Sequence, residues 1–141
     1  MDAVSEEQLQ EIERRIVAHV VAEFGVEVAG LVLDMTNFAT YIDTANDRAP
    51  IAQHGHAKQK RTDLRLVGLG LVVSTDSGIP LVSHAYPANK PDVTQFPDMI
   101  ETMAARHAGL AAAASGATAD TTADMTVVFD AGQNSAANFA V

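Results

Sequence analysis

A chain of 141 residues, 48% hydrophobic and 19% charged, has the size of one domain with one ordinary core and is too apolar to be disordered. With no cysteine, disulfides, thiolate chemistry and cysteine-ligated zinc are excluded, and a reducing cytoplasm is the expected setting. The net charge of −9 opposes nucleic acid taken over the whole chain, no apolar run is long enough to span a bilayer, and the acidic, polar start MDAVSEEQLQ is unlike a signal peptide.

Residues 5 to 24 are predicted to form a helix. Ser5 and Gln8 fit a capping box, Glu6 and Glu7 suit the positive end of the helix dipole, and Gly25 is a natural stop. Leu9, Ile12, Ile16 and Val20 recur at spacings of three and four, which reads as one packing stripe. Residues 1–28 are therefore taken as an N-terminal helical segment preceding the body of the chain at 29–141. Residues 29 to 34, AGLVLD, are the first predicted strand. The polar stretch after it, TNFATYIDTANDRAPIAQHGHAKQKRTD, shows no sustained period of two or 3.6, and so much structureless chain in a compact domain is usually functional or disordered.

Residues 64–74 and 79–86 read as two strands joined by the turn TDSG, an antiparallel hairpin. Gly68 and Gly70 in the first of them do not form a dinucleotide fingerprint, since a turn follows and the third glycine is missing; a close neighbour explains them better. PANKPD, residues 87 to 92, is loop. A helix is expected from about Thr94, with Pro97 in its first turn and Phe96, Met99, Ile100 and Met103 on its apolar face. Residues 108–124, rich in Ala, Thr and Gly, read as a flexible linker. A last strand ends at Asp130, and Ser135 offers a cap for a further helix. This order gives an α/β class with a mixed sheet, in which a crossover places the Asp130 strand parallel to an earlier one.

Two apolar runs, LVLD and VVFD, each deliver an aspartate at the expected end of a strand, Asp34 and Asp130. Sites in α/β sheets gather at the carboxyl ends of strands, and two carboxylates meeting there call for a proton or a cation. Hard oxygen ligands favour magnesium or manganese, ions that serve phosphodiester chemistry. The alternative is that each aspartate closes a turn. Five of the nine basic residues lie between Arg48 and Arg65, so an acidic chain carries one basic segment, most of it in residues 39–63, which are taken as a basic loop. Lys58, Lys60, Arg61 and Arg65 there suit DNA phosphates, although a charge run is more commonly just solvated. His54 and His56 form a weak metal-ligand pair. His19, His84 and His107 read as ordinary surface or packing residues. Asn134 and Asn138 serve either to orient a phosphate or to cap a helix. No G-x-S-x-G nucleophile elbow is present.

Taken in series, LDMTNF, HGHAKQKRTDLRLVGLGLVVSTDSGIPLVSHAYPANKPDVTQF and VVFDAGQNSAAN resemble the insertion-sequence transposases of the DDE type, over about residues 30 to 139. The likeness is to the branch with D-x-T-N/S-F/Y around the first aspartate, then G-x-[SA]-K-x-x-R-x-D-L, a hairpin ending in P-x-N, and D-x-G-x-N-S. It implies a ribonuclease H-like mixed sheet flanked by helices, and magnesium- or manganese-dependent hydrolysis and strand transfer at transposon ends. Asp34 and Asp130 would be the first two metal ligands, the segment from Lys58 to Arg65 the basic stretch, and Asn134 a DNA contact. PAN stands where PGN is usual, and DAG where a basic residue usually follows the aspartate. The family's third acid, a glutamate on a later helix, has no counterpart before Val141, so the expectation is an incomplete core that catalyses little alone and self-associates through uncovered apolar surface. The competing expectations are a non-catalytic module that binds DNA or a partner, and a plain α/β domain whose aspartates are turn residues.

Overall fold

The computed structural model describes residues 4–55, 63–115 and 125–130. Helix α1 spans Glu6–Phe24. The Ser5 hydroxyl accepts from the Gln8 amide, the Gln8 side chain accepts from the Ser5 amide, and Gly25 closes the helix in the left-handed conformation at φ 63°. The face it buries is not the expected one. Leu9, Ile12 and Ile16 are 56%, 49% and 58% exposed, whereas Val17 and Val21 are buried. The helix is held by the row that carries those valines and by an ion pair from Glu13 to Arg106, so the longer apolar stripe is turned to the surface.

Strand β1 runs Gly30–Thr40, six residues beyond its predicted end. Leu31, Leu33 and Met35 are buried and Asp34 is exposed, the alternation of a half-buried strand. The continuation through Thr36, Phe38 and Thr40 is made of residues that suit a pleated surface despite its polarity. Strands β2 (Arg65–Ser74) and β3 (Pro80–Pro87) form the expected hairpin, with Ser74 donating to the Ile79 carbonyl over 3.1 Å and Gly78 at φ 66° in the turn. Helix α2 spans Asp92–Ser115, starting two residues before the expected Thr94, so that Pro97 lies beyond the first turn. The expected linker at 108–124 is helical as far as Ser115, because alanine is the best helix former and its low complexity there is no sign of flexibility. Strand β4 is Thr126–Phe129.

The four strands lie in the order β3-β2-β1-β4. Thr75, just past the end of β2, donates to the carbonyl of Gly30 at the start of β1, and the Thr40 hydroxyl at the other end of β1 donates to the Arg65 carbonyl, so β1 and β2 are antiparallel. Thr126, opening β4, donates to the carbonyl of Ala29 just before β1, so β4 and β1 run parallel. The architecture is thus a mixed α/β sheet with two helices, the predicted class.

The chain divides into two compact units, one of Met1–Val32, Val72–Val82 and Glu101–Val128, the other of Leu33–Leu71, Ser83–Ile100 and Phe129–Val141. In the first, α1 packs beside Leu81 and the second half of α2, and the His107 ring nitrogen lies 3.1 Å from the Val28 carbonyl. Helix α1 and the residues after it to Val28 are therefore part of this unit's core and not an appendage. In the second, Leu33, Met35, Leu66, Tyr86, Phe96 and Met99 are buried, each worth roughly 2 kcal/mol of apolar burial. Here the two strand glycines have the close neighbours their sequence position suggested. A Cβ on Gly68 would stand 2.2 Å from the Tyr86 ring, and one on Gly70 would stand 3.0 Å from the Met99 sulfur.

Candidate functional site

The second unit carries both predicted aspartates. Asp34 sits within β1 and not at its end, and Asp130 directly follows β4. In a parallel ladder an amide that bonds one carbonyl stands beside the next residue along, so Thr126 stands beside Gly30. Counted on by twos, Val128 falls beside Val32, and the same register carried one residue past the end of β4 sets Asp130 beside Asp34. Residues so paired share a face of the sheet, with strands roughly 5 Å apart. Both side chains are exposed, and the Met35 amide donates to Asp34 Oδ1 over 2.9 Å. On the other parity of β4, Phe129 meets Phe96 of α2 edge to face, with ring centroids 4.8 Å apart.

Near Asp34 lies a group that sequence reasoning passed over. Tyr86 is 1% exposed, its ring over Gly68, and its hydroxyl donates to Asp92 Oδ1 over 2.7 Å. Burial raises the phenol above its ordinary value, and the bond to Asp92 and the charges of Asp92 and Asp34 push it the same way. The phenol therefore stays protonated and keeps donating, which fixes Asp92 at the first position of α2.

Asp92 also lines a cleft of about 470 Å³ with Asn37, His54, Gly55, Ala88, Asn89, Lys90 and Pro91. Its two walls are pressed together, since a Cβ on Gly55 would stand 2.1 Å from the Ala88 carbonyl oxygen. The sequence reading left Asn89, Lys90 and Asp92 in a plain loop. The available signal was position: polar residues between the end of a strand and the start of a helix, where α/β sheets place their sites.

The basic segment fares differently. Arg65 is buried at 7% exposure, and its guanidinium donates to the carbonyls of Asp43, Asn46, Ala49 and Ala52. The expected phosphate contact is corrected: its donors are directed inward to loop carbonyls, as a buried guanidinium requires. That arginine also organises the stretch read as structureless, which turns at Asp43–Asn46 and Ala49–Ala52 and then bridges through Gln53 to Leu66. Lys58, Lys60, Arg61, His56, Asn134 and Asn138 lie outside the described residues. His54 is exposed and belongs to the cleft.

Two exposed carboxylates side by side on one sheet face fit magnesium, which commonly takes one or two carboxylates and keeps several waters. Among the described residues no group of three or more His, Cys, Asp or Glu is arranged to hold a metal. Among the described residues, too, no helix is long and apolar enough to cross a membrane. The chain matches no protein-family model, and no curated protein or solved structure shows significant similarity to it.

Proposed function

We propose that this chain acts on DNA as a transposase-like core of ribonuclease H-like fold, directed at phosphodiester bonds. The observation that carries the reading is the ladder register that sets Asp130 beside Asp34 on adjacent parallel strands of a sheet ordered β3-β2-β1-β4. The same series of sequence segments that resembles the DDE transposases supplies both aspartates, and it supports the reading independently of the register.

Asp34 and Asp130 would hold magnesium or manganese. When bound, such an ion lowers the pKa of an attacking hydroxyl and offsets charge at the leaving oxygen. The chain's own part is to fix those carboxylates. Asp34 is held at mid-strand with Oδ1 on the Met35 amide, and Asp130 is anchored by Phe129 against Phe96. Lys58, Lys60, Arg61 and Asn134 are the proposed DNA contacts, with Arg65 removed from that set.

Two measurements test this. Manganese binding, read by electron paramagnetic resonance, is expected to weaken by roughly 100-fold or more in Asp34→Ala and in Asp130→Ala, beyond the loss typical of an outer-sphere partner. Manganese-dependent nicking of supercoiled DNA by the purified chain is expected to be slight, and what there is should vanish in the same variants. Binding unaffected by either substitution sinks the shared-site reading.

A further inference from the structure

The cleft between His54–Gly55 and the residues from Ala88 to Asp92 has a chemistry of its own. Its volume, about 470 Å³, lies within the range of small-ligand sites. Lys90 and His54 offer cationic or donor nitrogens, the carboxamides of Asn37 and Asn89 each both donate and accept, and Pro91 and Ala88 provide an apolar wall. Lys90 is balanced by Asp92, so the lining suits a ligand with a single phosphate and a neutral, hydrogen-bonding body better than a bare polyanion. The walls are set before any ligand arrives. Gly55 is pressed on Ala88, Lys90 N donates to the Pro87 carbonyl over 3.0 Å, and the Tyr86 hydroxyl fixes Asp92. Pre-set walls lower the ordering cost of binding.

We infer that this cleft binds one nucleotide unit, with its phosphate on Lys90 and His54 and its base against the Asn37 and Asn89 amides and the Pro91 wall. Asn37 lies three residues along β1 from Asp34, an odd step that puts the two side chains on opposite faces of the strand, so the cleft is a site separate from the carboxylates. That the nucleotide belongs to a DNA strand rests on the reading above; that the cleft takes a nucleotide does not.

The experiment is an amide NMR titration of the full chain with deoxynucleoside 5′-monophosphates, inorganic phosphate and a short single-stranded oligonucleotide. Mononucleotide and oligonucleotide are expected to shift Asn37, Gly55, Asn89 and Lys90, with inorganic phosphate much weaker. Lys90→Ala, at an exposed position, is expected to weaken oligonucleotide binding about tenfold and to flatten its salt dependence by about one unit of slope, with Lys90→Arg restoring most of both. Mononucleotide shifts without oligonucleotide shifts support a free-nucleotide site and count against a strand. Cleft shifts in a chain whose manganese binding is indifferent to Asp34→Ala and Asp130→Ala support the nucleotide site while the cleavage reading falls. No cleft shifts from any probe, with manganese binding still lost in Asp34→Ala, overturns the inference and leaves the cleavage reading intact.

Discussion

Arg65 shows how much one residue can decide. Its guanidinium gathers four carbonyls of a loop that has little apolar content of its own. Arg65→Met is expected to cost roughly 3 kcal/mol or more in urea unfolding, because those carbonyls lose a charged donor and stay partly buried. A variant within 0.5 kcal/mol of the wild type, on the order of a neutral surface change, would mean that the loop is held otherwise. Tyr86 invites a pH test. Its pKa in the folded state is raised above the ordinary 10.0, so its contribution to stability is complete below that value and is lost as pH climbs through and beyond it. Stability measured across this alkaline range should fall in the wild type more steeply than in Tyr86→Phe. Neither residue's role was legible in the sequence. Arg65 stands in a basic run and looks like its neighbours, and only three-dimensional placement shows that it faces inward. The apolar run before Asp130 pointed to the strand it follows, whereas the run before Asp34 marked a strand but not its end, since β1 continues to Thr40.

At the scale of elements, capping and turn chemistry carried most of the information. Ser5, Gln8 and Gly25 bounded α1 to within a residue, and Gly78 marked the hairpin turn. Strand and helix lengths were harder to read. Polar residues hid the second half of β1, and an alanine-rich run that looked like a linker is the end of α2. Periodicity also named the wrong face of α1, since it reports that a stripe exists but not which row finds a partner. Hence Ile12→Gln with Ile16→Gln is expected to change unfolding free energy by no more than about 0.5 kcal/mol per site, whereas Val21→Ala, at a fully buried position, is expected to cost more than 1 kcal/mol. Chemical denaturation of both variants separates the two faces. Glu11 gives α1 a second, weaker test. Its bonds to Arg14 and Arg15 hold its carboxyl down at about 2. What it adds is therefore present above the ordinary carboxylate range and is lost as pH falls through that lowered value. At this exposed position the effect should be small and should fade with salt.

For the whole molecule, the mixed α/β class followed from the order of predicted elements, and the sheet order β3-β2-β1-β4 came only from hydrogen-bond pairing. The proposed function hangs on that pairing, because a register shift of one residue would turn Asp130 to the opposite face from Asp34. The parallel β1–β4 contact is short on the β4 side, only Thr126–Phe129, so Phe129 against Phe96 has a large share in keeping the register. Phe129→Ala is expected to cost roughly 2 to 4 kcal/mol and to weaken manganese binding although the residue bears no ligand atom. A variant that unfolds more easily yet binds manganese with wild-type affinity would separate the sheet edge from the site.

The Met35 amide, which leans on Asp34 Oδ1, gives the chain a built-in reporter. Whatever engages that carboxylate, whether proton, cation or strand, must compete for the same oxygen or redistribute its charge. The chemical shift and exchange rate of a single backbone proton would then register occupancy directly, with no label, substrate or turnover required.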